Sequence, residues 1–142
     1  MLIQANETVR VRAPTTGLHE VTRAVSDWLD SQRIDSGLLT IFCLHTSASL
    51  LIQENAAPDA RRDLEHFFDG IAPEDRALYT HNDEGPDDMP AHIRSALTQT
   101  QLSIPVQNGK MVLGTWQGIY LFEHRHEAPE RKLALHLIGE AA

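Results

Sequence analysis

Histidine is the residue through which this 142-residue chain shows chemistry: eight are present, and imidazole is both the commonest neutral metal ligand and the side chain that titrates near physiological pH. Three of them, His45, His81 and His92, stand among other ligand or acid/base groups. The densest such segment is His81-Asn82-Asp83-Glu84-Gly85-Pro86-Asp87-Asp88-Met89-Pro90-Ala91-His92. Pro90 suits a first helical position and disfavours helical geometry at Met89, so the spacing predicts a helix from Pro90 to about Thr98, with His92 in its first turn. There the positive end of the helix dipole disfavours imidazolium, which leaves the metal-binding form, and attracts anions such as Asp87, Asp88 or a substrate phosphate. The bland alternative is a solvated acidic loop.

His45 follows the apolar run Leu38 to Leu44 directly, at the junction of strand and polar loop where sites are often mounted. Thr46, Ser47 and Ser49 add hydroxyls suited to an anion, although such a cluster is also ordinary turn chemistry. Glu54 and Asn55 close the segment as helix-capping groups or ligands. In Glu123-His124-Arg125 strand alternation puts Glu123 and Arg125 on one face and His124 on the other, so the three cannot join one site from a regular strand. Gly114-Thr115-Trp116-Gln117-Gly118 has glycines on both sides of an aromatic ring that could stack on a ligand or serve as a structural tryptophan. His19, His66, His126 and His136 read as structural or solvated, and the lone Cys43 as a buried thiol that cannot form a disulfide within the chain.

These groups need positioning elements, and the apolar pattern supplies them. Ile3, Ala5, Val9 and Val11 alternate with polar residues as in a half-buried strand. Val21, Ala24, Val25, Trp28 and Leu29 share one helical face, with Thr15 or Thr16 as cap and an end near Gln32 or Arg33. Gly37 to Leu44 is apolar on both parities, as for a strand covered on both faces. Pro58 opens a second helix that runs through Ile71. Asn108-Gly109 marks a hairpin turn between strands, and Gly118 to Arg125 and Leu133 to Leu137 alternate again. Strands predominate without a regular βαβ succession, so the class is α+β: a single domain over residues 1–142, mostly antiparallel or mixed sheet with about three helices.

Composition excludes several functions. A net charge of −8 with scattered cations leaves nothing to neutralise a phosphate backbone, so nucleic acid is not an expected partner. No apolar stretch approaches a membrane span. The N-terminal segment lacks the pattern of a secretory signal, which makes the cytoplasm the expected location.

Taken in order, His45-Thr46-Ser47-Ala48-Ser49-Leu50, Glu54-Asn55, His81, Asp87-Asp88-Met89-Pro90-Ala91-His92-Ile93, Leu113-Gly114-Thr115-Trp116-Gln117-Gly118-Ile119 and Glu123-His124-Arg125 with Arg131 make the chain resemble the YjbQ-like family, associated with secondary thiamine-phosphate synthase activity. The resemblance covers nearly the whole chain. It implies an α+β fold, a homotrimer and a polar pocket near subunit boundaries. It makes His45, His81 and His92 the metal-ligand candidates and leaves His124 outside the ligand set. Asp88 or Glu123 would act as acid/base, Arg125 with the Ser/Thr cluster would hold an anion, and Thr46, Ser47, Ser49, Asn55, Thr115, Trp116 and Gln117 would face a small-molecule substrate. Three imidazoles suit Zn2+ best, with Mn2+, Ni2+ or Fe2+ close behind, whereas expulsion of diphosphate usually employs oxygen-liganded Mg2+. That mismatch suggests that thiamine phosphate formation is a side activity. The competing expectations are a metal-dependent hydrolase and a non-catalytic trimer that binds a small ligand or metal.

Overall fold

A computed structural model describes residues 1–142. In chain order the elements are β1 (Leu2–Val11), β2 (Gly17–Glu20), α1 (Thr22–Asp30), β3 (Ile34–Cys43), β4 (Ala48–Glu54), α2 (Pro58–Ile71), α3 (Asp88–Leu97), β5 (Gln101–Gln107), β6 (Lys110–Met111), β7 (Gln117–Glu123) and β8 (Arg131–Ala141), with a 3-10 turn at Arg76–Leu78. The strands form a five-stranded sheet, β1-β8-β3-β5-β6, and a three-stranded sheet, β2-β7-β4. Every pairing is antiparallel, so the class is α+β as the pattern predicts. No helix is long and apolar enough to cross a membrane.

Period-two alternation explains how the layers meet. Leu39, Ile41 and Cys43 of β3, Leu102, Ile104 and Val106 of β5, and Leu133, Leu135 and Leu137 of β8 point to one side of the large sheet, where they pack with Val25 and Leu29 of α1 and with Leu50, Ile119 and Leu121 of the small sheet. The far side of the small sheet presents Leu18, Tyr120 and Phe122 to Leu64 and Phe68 of α2. The strand covered on both faces is therefore β7, which is buried from Gly118 to Glu123, and not β3 as its sequence suggests. On β3 the even-numbered Leu38 and Phe42 remain 43% and 42% exposed.

Two further boundaries differ from expectation. Residues 17–20 pair with β7 as β2, too short a strand to show a pattern, so α1 starts after it at Thr22 rather than under a Thr15 or Thr16 cap. The Thr22 hydroxyl instead accepts the Ile119 N–H at 2.8 Å, fixing the helix start to β7. Helix α3 begins at Asp88, which makes Pro90 its third residue. The first N–H groups of a helix have no intrahelical acceptor, so a proline fits there without loss. The Asn-Gly turn is as predicted, with φ of 52° at Asn108 and 75° at Gly109, the pair of positive values a two-residue hairpin requires. Gly37 and Gly139 face each other across β3 and β8; a Cβ on Gly37 would lie 2.3 Å from the Ile138 carbonyl oxygen and one on Gly139 2.1 Å from that of Ser36. Only hydrogen at both positions lets these strands approach so closely beside the irregularity at Ile34–Ser36.

Candidate functional site

The early start of α3 decides the local geometry. Asp88 is its first residue, and His92, one turn later, lies directly over it. The Asp88 side chain is 3% exposed, and its Oδ2 stands 2.8 Å from His81 Nε2 and 3.3 Å from His92 Nε2. The two rings are 5.6 Å apart at 65°, and ligand atoms of His81, Asp88 and His92 all lie within 4.8 Å of one another. Burial by itself would raise the Asp88 pKa, but hydrogen bonding by His81 and Glu84 and the charges of His92 and Arg125 outweigh it and hold the carboxyl below its ordinary value. It is thus ionised near neutral pH. His92 is not in the first turn, so what holds its ring is this carboxylate and not the helix dipole.

The loop that carries His81 is tied down from the end of β7. Arg125 donates from Nη1 to Asp88 Oδ1 at 2.8 Å and from Nη2 to the Glu84 carbonyl at 2.9 Å, while its Nε lies 3.1 Å from Asp87 Oδ2. The His126 N–H donates to the same Asp87 oxygen. Asp87 is also held low: burial opposes ionisation, but the His126 amide and Arg125 prevail. Arg125 is therefore a strap within the chain, hydrogen-bonded to Asp88 and the Glu84 carbonyl and ion-paired with Asp87. The guanidinium's partner is not Glu123, which strand alternation places on the same face. Glu123 is completely buried and accepts four hydrogen bonds, from Arg131 Nε and Nη2 and from the His124 and Arg125 amides. It fixes the turn that aims Arg125 and has no free oxygen for acid/base work.

His45 lies in the turn between β3 and β4, anchored through the Ser47 carbonyl, which accepts from Arg131 Nη2 and the His124 amide. Its Nε2 accepts the Lys132 N–H at 2.8 Å. Burial first, then the charges of Arg131 and Lys132, lower its pKa against the opposing pull of Glu123. His45 shares a cleft of about 320 Å3 with His92, lined also by Thr46, Ser95, Ala96 and Thr100. It is not among the three residues whose ligand atoms converge.

Ser49 is buried and its hydroxyl is 2.9 Å from His124 Nε2, with Thr98 Oγ1 within hydrogen-bond reach of both Ser49 Oγ and the Arg94 carbonyl. This buried chain staples the end of α3 to β4 and to the residue after β7. Burial, with the charges of Arg94 and Arg131, pushes the His124 pKa down to about 3, so the ring is neutral at any ordinary pH.

The family model of the YjbQ-like UPF0047 proteins matches residues 7–140. The chain belongs to the YjbQ-like UPF0047 family. A UPF0047 protein of Synechocystis sp. is 46% identical over 137 residues, covering 96% of this chain and 93% of that protein. The UPF0047 protein YjbQ of Escherichia coli O157:H7 is 43% identical over 135 residues, covering 94% and 97%. Among solved structures, a conserved hypothetical protein from Thermus thermophilus superimposes with a TM-score of 0.80 at 30% identity, covering 91% of this chain and 97% of that one.

In this YjbQ-like chain the family's motifs fall into two groups. The β4–β7 ladder pairs Ala48 with Glu123 at one end and Glu54 with Gln117 at the other, six residues or roughly 20 Å apart. Asn55, Thr115, Trp116 and Gln117 gather at the second end: the Asn55 N–H donates to the Trp116 carbonyl, its side chain contacts the Gln117 carbonyl, and Gln117 Oε1 accepts the Gly114 N–H. Trp116 is 62% exposed there. These four residues do not meet His81, Asp88 and His92 within one chain. The residues that sequence reasoning underweighted are His124 and Arg131, both buried. A signal existed, because Ile119 to Phe122 is apolar on both parities and so leads into a doubly covered position.

Proposed function

We propose that His81, Asp88 and His92 of this YjbQ-like protein bind a divalent metal and that the protein is an enzyme of the cytoplasm acting on a small phosphorylated or heterocyclic metabolite, with thiamine-phosphate synthase-like transfer as the activity the family resemblance implies. The observation that carries this reading is the convergence of two imidazoles on one ionised, buried carboxylate. The donor set of two nitrogens and one oxygen fits Zn2+, which in catalytic sites takes three protein ligands and keeps a position open. It also fits Fe2+, Mn2+ or Ni2+ better than Mg2+, which prefers oxygen throughout. A metal bound there supplies Lewis acidity toward a phosphoryl or carbonyl oxygen. Arg125, held through its own N–H by Glu123, fixes Asp88 from behind by its Oδ1 and so leaves Oδ2 facing the two rings. Single His81→Ala and His92→Ala variants are expected to lower the affinity for added Zn2+ by roughly 100-fold or more and to abolish turnover, read by elemental analysis and metabolite screening. Full metal content and activity in both would refute the site.

The assembly we propose is a homotrimer. Supporting it, Leu38, beside Ile138 and Pro105, and Phe42, beside Ala134, lie on the open face of the central strand β3, exposed apolar side chains of the kind that interfaces cover. A neighbouring copy also offers a way to bring one chain's Trp116 end to another's histidine end. Native mass spectrometry of a Leu38→Glu, Phe42→Glu variant is expected to show monomer where the parent shows trimer. A monomeric parent, or a variant that stays trimeric, would sink the proposal.

A further inference from the structure

His45 differs from His81 and His92 in what its nitrogens do. Its Nε2 accepts a backbone N–H from Lys132, and a ring nitrogen that accepts from an amide carries no proton. In the neutral ring the proton must then sit on Nδ1. One lone pair is engaged by the backbone and the other nitrogen presents an N–H, so neither is available to a metal without rearrangement. Yet the ring lines the cleft beside His92.

Three of the other residues lining that cleft can donate hydrogen bonds. Thr46, Ser95 and Thr100 contribute hydroxyls, and Ser95 is held only loosely, at 3.4 Å from the Ala48 carbonyl. Donors want an anion, and an anion wants a cation nearby. Arg125 is engaged by Asp87 and Asp88, and Arg131 by Glu123. Lys132 is exposed, joins none of the chain's ion pairs, and stands next to the cleft through its own amide on the His45 ring. A phosphate, with several acceptor oxygens and a double charge to disperse, matches an N–H, three hydroxyls and one ammonium.

We propose that His45 is a hydrogen-bond donor rather than a metal ligand, and that with Lys132, Thr46, Ser95 and Thr100 it forms a phosphate subsite beside the His81–Asp88–His92 centre. It rests on the reading of a phosphorylated substrate given above, and it takes His45 out of the ligand set the family resemblance implies. Lys132 supplies two things at once: its amide sets the tautomer of His45, and its side chain supplies the charge. A carboxylate offers fewer acceptors and is expected to bind less well.

The test uses the intact protein with 15N-labelled histidine. Two-bond proton–nitrogen spectra are expected to show His45 protonated at Nδ1. Added Zn2+ is expected to move the nitrogens of His81 and His92 and leave those of His45, and inorganic phosphate is expected to move His45 Nδ1 and its proton. Lys132→Ala is expected to weaken phosphate binding about tenfold or more, with Lys132→Arg restoring most of it. Each of three results would overturn the proposal: His45 nitrogens that shift with Zn2+ as those of His81 do, phosphate affinity unchanged by Lys132→Ala, or acetate that binds as tightly as phosphate. Failure of Zn2+ to bind anywhere would refute the metal centre alone, because the tautomer and the phosphate shift are read without it.

Discussion

A Glu123→Gln variant is expected to lose about 3 to 5 kcal/mol of folding stability, the cost of leaving a buried guanidinium without its counter-charge. Glutamine matches the shape of glutamate, so no cavity arises and the effect isolates the charge. It cannot match the acceptors. Both carboxylate oxygens of Glu123 face N–H donors, Arg131 Nε on one and Arg131 Nη2 with two backbone amides on the other. Wherever the new NH2 group points, a donor meets a donor. With a urea dependence of about 2 kcal/mol per molar the unfolding midpoint should fall by about 2 M. A companion Glu123→Leu, Arg131→Met variant, which removes both charges, should recover much of the loss. An unshifted midpoint for Glu123→Gln would mean that the pair contributes nothing.

His124 should make the protein acid-sensitive well above the usual carboxylate range. Its pKa is about 3 when folded and about 6.5 when unfolded. Between these values the unfolded chain binds a proton that the folded chain refuses, so stability rises with pH across the window and falls as pH drops through it. The contribution is nearly complete above about pH 6.5, lost by about 2 kcal/mol on going from pH 7 to 5, and lost by about 4 to 5 kcal/mol at pH 3. Asp87 and Asp88 add to the same trend only near and below the ordinary carboxylate pKa, since their folded values are depressed. His124→Gln keeps a partner for Ser49 and removes the titration. Urea unfolding at pH 7 and pH 5 should therefore show a smaller gap for this variant than for the parent, and equal gaps would exclude His124 as the source.

What the sequence disclosed and what it withheld follow from the range of each force. Alternation along β1, β5 and β8, the amphipathic face of α2 and the Asn108-Gly109 turn are set by neighbours a few residues away, and all three were legible. Which strand lies in the middle of the stack is a property of the stack, so β3 and β7 exchanged roles: β3 reads as apolar on both parities and β7 as alternating, yet only β7 has α2 on its outer side. The segment from His81 to His92 could be recognised as chemical from density of ligands alone. That Asp88 stands beneath both rings depended on a helix start two residues earlier than Pro90 suggests. The destination of Arg125 could not be read at all, because its partners lie 37 residues away or more and nothing local distinguishes a strap from an anion-binding arginine.

The order of the strands has a consequence for how the site comes into being. β8 lies between β1 and β3 in the large sheet, and its first two residues are Arg131, which closes on Glu123, and Lys132, whose amide orients His45. As the chain leaves the ribosome, His45, His81, His92 and His124 all emerge before the strand that fixes the turn around His45 and the aim of Arg125. Until β8 slots into place, β1 and β3 have no shared neighbour and the large sheet is open through its middle. Assembly of the chemical centre and closure of the fold are thus one event, late in synthesis, and a chain stalled short of Arg131 would carry the ligands without the geometry that makes them a site.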